Sequence, residues 1–419
     1  TFHGDVGAAF CRRHDPWICS NMASLMQAQH ELRRTNSRLG RTTPRDYAPV
    51  PTREEPTGGN AGPANDLEGF ANIFGGHPIL TCLLVFVPLG FAAAKMEMAP
   101  TWVFLFNFIA IIPLAWIIGK ATEDVAAKLG ETLGGLLNAS FGNAVEMLIC
   151  IAGIRNDEII VVQCTLLGSI LSNLLLVMGC AFLAGGLFYP IQKFNQAGAA
   201  VQTSLLAMSV FTIGLPTIYV NILKQDSEWE HMVTVSRLAS IALLGLYAAF
   251  LVFQLKTHVH LFQDESGGEE EEESPDLSAP TAAVLLLTGT VITSFATDYL
   301  IEALKGTLSS WNVSQEFVGI ILLPIIGNAA EHYTAITVAM RNKMDLSLGV
   351  AAGSSCQMAL LVTPFTVIVG WILDKEMTLN FHSFQLAVLL FSVLLVSTIL
   401  NSGRSNWFVG YILLVTYFV

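Results

Sequence analysis

Two carboxylates stand deep inside apolar runs, each within the same short phrase. Glu146 closes Gly142-Asn143-Ala144-Val145-Glu146 and Glu331 closes Gly327-Asn328-Ala329-Ala330-Glu331, so they lie 185 positions apart (146 to 331). An ionisable group at membrane depth costs roughly 3 kcal/mol even on lenient insertion scales, and by default it marks an ion path or proton relay. Residues three apart share a helix face, which sets Asn143 beside Glu146 and Asn328 beside Glu331. Each phrase thus offers a carboxylate and an amide oxygen together. The repetition continues, because Gly168-Ser169-Ile170-Leu171-Ser172 follows the first Glu at the distance at which Gly353-Ser354-Ser355-Cys356-Gln357 follows the second. The repeated unit is therefore at least a helix pair.

The ligand chemistry follows from these residue types. Ser169, Ser172, Ser354 and Gln357 add neutral oxygens to the two carboxylates. Hard oxygen in this quantity suits Ca²⁺, which takes about six to eight such ligands, and Mn²⁺ suits the same set. Glu146 and Glu331 are the expected metal ligands, and Cys356 is expected to pack. The glycine before each Asn, with Pro324 in one copy and Gly134-Gly135 in the other, predicts interrupted helices whose freed carbonyls can also ligate. A desolvated carboxyl holds a proton when empty and releases it to a divalent cation, so each Glu can alternate between the two cargoes. No resident cofactor is implied; Ca²⁺ and H⁺ are cargo.

Competing readings exist for each feature. Either Glu could hydrogen-bond a neighbouring helix, and the Ser and Gly residues could serve close packing. Glu123, Asp298 and Glu302 sit at span ends, where a gate or proton route competes with simple solvation. Asn328-Ala329-Ala330-Glu331-His332 lacks the first His of an inverted zinc-protease motif, and no Walker A or kinase set occurs, which disfavours an enzyme or a nucleotide-driven pump. A cation channel or a Na⁺-coupled exchanger would use the same carboxylates.

The elements that position these residues are membrane spans. The 419 residues are 53% hydrophobic and 13% charged, against about a quarter charged in soluble domains. The acidic balance, 33 against 21, disfavours nucleic acid as a partner. The seven cysteines form no framework of disulfides or zinc ligands. Apolar runs near the ~20 residues of a spanning helix fall at about 77–95, 100–120, 126–154, 158–184, 197–220, 233–255, 280–304, 315–340, 345–373, 382–401 and 406–419. The bilayer is thus the first expected partner. The expected fold is all-α and polytopic, with eleven transmembrane helices. The Glu phrases fall in the third and eighth spans, so the repeat is five helices long, and an odd unit inverts on repetition. One extra amino-terminal helix then precedes two inverted five-helix repeats, 100–255 and 280–419, with the ion site between them.

Residues 1–76 read as a disordered tail without a secretory signal, and 256–279 as an acidic linker carrying Glu269, Glu270, Glu271, Glu272 and Glu273. That run is either a solvated spacer or a lure for cations. Basic residues in the tail and in the loops on its side place the amino terminus in the cytosol by the positive-inside rule. The last span runs to Val419 without a polar tail, as in a truncated chain.

The paired phrases, with Gly168-Ser169-Ile170-Leu171-Ser172-Asn173 and Asp345-Leu346-Ser347-Leu348-Gly349-Val350-Ala351, resemble the cation/proton exchanger family of the Ca²⁺/cation antiporter superfamily, most closely its fungal vacuolar Ca²⁺/H⁺ exchangers. The likeness covers roughly 77–419. It implies the same eleven-helix fold, Glu146 and Glu331 as central cation and proton sites, Asn143, Asn328 and Gln357 lining them, and an acidic cytosolic helix at Glu269 to Glu273. It also implies the task of loading Ca²⁺ into an acidic vacuole at the expense of lumenal H⁺.

Overall fold

In the computed structural model, the described residues are 66–223, 228–262 and 275–419. The acidic run Glu269 to Glu273 and residues 1–65 of the expected tail lie outside them. Among the described residues, eight helices are long and apolar enough to cross a membrane, from Pro78–Lys95 and Pro100–Leu129 to Met344–Ile372 and Ser383–Leu400. Two further helix pairs pass the same test together, each bent at a break: Leu133–Phe141 with Ala144–Arg155 at 44°, and Gln315–Gly327 with Ala329–Met340 at 58°. Trp407–Phe418 is a shorter apolar helix.

The two halves repeat in detail. Both breaks fall at the Gly-Asn step. The next helix of each half carries a turn of π-helix, Ser172–Val177 in one and Met358–Val362 in the other. Asp157 and Asn342, also 185 apart, take the left-handed conformation that ends the preceding half-helix. Matching helices face each other: Pro100–Leu129 packs along Ala279–Glu302, and Gln196–Leu223 along Ser383–Leu400. Close approach is set by glycine, since a Cβ on Gly168 would collide with the backbone of Ile320.

Two expectations change. The third span does not begin at 126, because residues 126–129 finish the 30-residue Pro100–Leu129 helix, which ends at Gly130 with φ of 79°. At ~1.5 Å per residue this helix outreaches the hydrocarbon core, and its polar last turns hid the boundary. Residues 66–76 are not part of a disordered tail. Asp66–Gly76 is a helix whose Phe70, Ile73 and Phe74 pack with Leu277 and Ala282. The i, i+3, i+4 spacing of those three residues is the amphipathic stripe that earns the fold. Asp66 accepts from the Ser278 N–H at 2.7 Å and the Thr281 hydroxyl at 2.7 Å, and these bonds hold its carboxyl below the usual range.

Candidate functional site

Each broken helix restarts at its Asn. Asn143 and Asn328 occupy the cap positions of Ala144–Arg155 and Ala329–Met340, yet neither side chain caps its own helix. An Asn in that position ordinarily accepts from the first-turn N–H groups. Here the amides reach across to the other repeat. Asn143 Nδ2 donates to Gln357 Oε1 at 2.5 Å, and the Ser354 hydroxyl donates to Asn143 Oδ1 at 3.4 Å. Asn328 Nδ2 donates to the Ser169 carbonyl at 3.4 Å. Asn143 thus meets Ser354, and Asn328 meets Ser169 at the matching position of the other repeat, the first through the serine hydroxyl and the second through the serine backbone carbonyl. Asn173 Nδ2 also donates to Ser354 Oγ at 2.9 Å.

The carboxylates fall in the first turns of the half-helices, where free N–H groups and the positive dipole end favour anions. Glu146 is 1% exposed, and Asn143, Asn328, Ser169, Ser172 and Asn173 are equally buried. A Cβ on Gly327 would sit 2.8 Å from Glu146 Oε1, so the break of the second repeat abuts the carboxylate of the first. Among the described residues, Glu146 Oε1 and Oε2, Glu331 Oε2, Asn328 Oδ1, Asn173 Oδ1, Ser169 Oγ and Ser172 Oγ are buried without a hydrogen-bond partner. Orphaned buried oxygens are costly. Seven in one neighbourhood form a cradle for something electropositive. Cys356 instead turns its thiol to the Gln202 carbonyl at 3.2 Å, and Ser355 spends its hydroxyl on Ala351.

A cavity of about 460 Å³ leads to Glu331, Ser354 and Gln357. Asn138, Asn195, Gln202 and Asp345 supply polar groups along it, and Leu255, Leu261 and Phe262, at the start of the central linker, stand on its wall. It opens on the linker side, and Glu146 does not line it.

The opposite side is shut by contacts between the halves. Arg155 meets Asp298 at 3.1 Å, Lys375 meets Asp157 at 2.6 Å, and Lys305 meets Glu158 at 2.8 Å. The hydrogen bond and charge of Glu158 hold the Lys305 ammonium above the usual lysine range. Beside them the loop after Ile372 is tucked in, with Met377, Leu379 and Phe381 buried. Gln163 donates to the Thr378 and Asn380 carbonyls, while Thr217 and Ser236 hold the backbone of Leu379 and Phe381.

The expected secondary carboxylates are not brought to this centre. Glu123 is exposed beside Lys120, Asp298 is bound to Arg155 some nine residues, about 13 Å, along the helix from Glu146, and Glu302 is exposed. Glu123 and Glu302 thus reach solvent at their span ends, while Asp298 joins the ion pairs on the closed side. Asn173, Gln202, Asn195 and Asp345 were not singled out from the sequence. Asn173 and Asp345 lie inside the phrases that carry the family resemblance, whereas Gln202 and Asn195 carry no local signal.

The sodium/calcium exchanger protein family matches residues 99–256 and 281–419. A vacuolar cation/proton exchanger 2 from Oryza sativa subsp. japonica is 45% identical over 325 residues, 76% of this chain and 74% of the relative. The vacuolar calcium ion transporter of Schizosaccharomyces pombe is 43% identical over 336 residues, 80% and 82% of the two chains. The solved Ca²⁺/H⁺ antiporter protein YfkE superposes with a TM-score of 0.69 at 32% identity, covering 81% of this chain and 97% of its own. With both halves matched, the chain belongs to the sodium/calcium exchanger protein family.

Proposed function

We propose that this chain is a secondary active antiporter that exchanges Ca²⁺ for H⁺ across the vacuolar membrane by alternating access. The observation that carries the reading is Glu146, a carboxylate 1% exposed with neither oxygen hydrogen-bonded, set in a helix break that its twin Glu331 repeats. Such a group must be neutralised, by a proton or by a cation. Only one cargo fits at a time, and crossing with the site charged and empty is costly, so the two fluxes are coupled.

Each residue then has a role. Glu146 and Glu331 bind Ca²⁺ or a proton. Asn328, Ser169 and Ser172 supply neutral oxygens on the Glu146 side, and Ser354, Gln357 and Asn143 line the Glu331 side. Cytosolic Ca²⁺ enters by the cavity past Asp345, and the Arg155, Lys375 and Lys305 pairs keep the lumenal side shut while it does. The amino terminus and central linker lie in the cytosol, and Mn²⁺ is a second cargo for the same oxygens.

The test is ⁴⁵Ca²⁺ uptake into proteoliposomes with an imposed inside-acid pH step, an imposed Na⁺ gradient, or neither. Uptake driven by the pH step alone supports the reading. Gradient-independent uptake makes the chain a channel, and uptake driven by Na⁺ makes it a Na⁺-coupled exchanger.

A further inference from the structure

Several basic side chains of this molecule are spent on acids or rings. Arg155, Lys305 and Lys375 meet carboxylates on the closed side, Lys120 meets Asp276 at 3.2 Å, and Arg237 lies 4.5 Å over the Trp371 ring. Lys193, Arg341, Lys343 and Arg404 differ, for among the described residues none of them forms an ion pair. They gather at the end on which the cavity opens, since Asn195 and Asp345, two residues from Lys193 and Lys343, line that cavity.

A short strand pair builds this cluster. Gln192–Lys193 runs antiparallel to Arg404–Ser405, with Lys193 directly opposite Arg404. Gln192 and Ser405 are 1% and 0% exposed, so strand alternation turns Lys193 and Arg404 outward together. Like charges directly opposite each other destabilise a strand pair. Gln192 Nε2 donates to the Ala339 carbonyl at 2.8 Å and to Asn342 Oδ1 at 3.1 Å, which holds the 341–343 turn against the same strand. Asn342 takes a φ of 62°, and Arg341 and Lys343 on either side of it are exposed. The positive-inside bias accounts for the sign of these four residues. It does not account for setting two of them opposite each other on a backbone pair with no acid to offset them.

The surroundings select the anion. The strands flank the end of Met178–Phe188 and the start of Trp407–Phe418, two helices so close that a Cβ on Gly186 would meet the Trp407 nitrogen at 2.2 Å. Leu187, Phe188, Ile191, Trp407 and Phe408 are exposed there. Aromatic residues at span ends mark the membrane–water interface, so the cations stand at headgroup depth with bare apolar surface beside them. A soluble phosphate would use the cations alone, whereas a phospholipid uses both. We propose that Lys193, Arg404, Arg341 and Lys343 form a binding site for the headgroup of an anionic phospholipid in the leaflet on the cavity side, its acyl chains lying along Phe188 and Trp407. The guanidinium forks take phosphate oxygens in pairs, and the ammonium groups add point charge. On the orientation proposed above this leaflet is the cytosolic one, where anionic lipids give the surface its negative potential.

The test titrates a fluorescent dioctanoyl phosphatidylinositol phosphate onto the purified full chain in uncharged detergent and reads anisotropy. The variants are Lys193→Gln with Arg404→Gln, and Arg341→Gln with Lys343→Gln. Lys128→Gln, an exposed base of Pro100–Leu129, is the control. All five positions are exposed, and thermal unfolding of each purified variant confirms its fold. At about fivefold per cation near a membrane surface, each double variant is expected to lose affinity about 25-fold, with the control at the parental value. Added salt is expected to weaken the parent more than either double variant. Parental affinity in either double variant overturns the site. Equal displacement by dioctanoyl phosphatidylcholine overturns headgroup recognition, and equal binding of inositol bisphosphate, which has no acyl chains, makes this a soluble-phosphate site and overturns the lipid assignment. Binding that emerges only when Glu269 to Glu273 are replaced by Gln gives the patch to the chain's own acidic run and overturns the proposal as well.

Discussion

Asn143 donates to the Gln357 side-chain oxygen at 2.5 Å, so the helix break of the first repeat is tied to the Met344–Gln357 helix of the second. Its twin Asn328 makes a longer bond to a backbone carbonyl and keeps Oδ1 free. One Asn is therefore a strut and the other an open ligand. Asn143→Ala leaves Gln357 Oε1 unpaired and is expected to cost about 1–3 kcal/mol of stability as well as Ca²⁺ affinity. Asn328→Ala is expected to weaken Ca²⁺ affinity comparably with a smaller loss of stability. Thermal unfolding and half-saturating Ca²⁺, measured on both variants, check the split.

Gly327→Ala is expected to abolish exchange. Its methyl would stand 2.8 Å from Glu146 Oε1, inside the contact distance of a real side chain, and the carboxylate would have to give way. Gly245→Ala, where an added Cβ meets nothing within 4 Å, is the matched control and is expected to transport at the parental rate. Flux assays on the two variants decide this.

The three ion pairs opposite the cavity join residues 155–158 to the second repeat. Single exposed pairs contribute little, but three from four consecutive residues act on one closure. Lys305→Glu is expected to increase labelling of a cysteine placed in the 376–381 loop, and Glu158→Lys with Lys305→Glu to restore protection. Lys305 sits above its ordinary value, so its contribution is complete below the unfolded lysine pKa and is lost only as pH rises through the folded value. Its ammonium therefore stays charged from pH 6 to 9, and labelling over that range is expected to respond to added salt through screening.

Asp66 holds the start of the Ala279–Glu302 helix from a separate helix. Its folded pKa is depressed, so the contribution is complete above the unfolded aspartate value and is lost as pH falls through the folded one. Hydrogen exchange at the Ser278 amide is expected to be slow at pH 6 and to speed up in Asp66→Ala.

The 185 offset, the paired Glu and Asn residues and the interrupted helices were legible because each is local: a phrase, a glycine, a proline within one apolar run. What escaped was non-local. No periodicity reveals that Asn143 meets Gln357 or that Asn328 reaches the Ser169 carbonyl, since those pairings arise only when the halves pack. Glu123, Asp298 and Glu302 looked alike in sequence, and packing leaves Glu123 and Glu302 exposed while it sets Asp298 against Arg155 of the other half. The Asp66–Gly76 helix was missed for the same reason, because its short apolar stripe is stabilised by Leu277 and Ala282, some 200 residues away.

The most direct measurement is proton release per Ca²⁺ taken up by proteoliposomes with an inside-acid pH step, comparing the parent with Glu146→Gln and Glu331→Gln. Exchange at the paired carboxylates requires coupled fluxes in the parent and the loss of both in each variant, because an amide neither trades a proton nor charges for a cation. Coupled exchange surviving in either variant would contradict it, and would leave the repeated Glu as helix contacts.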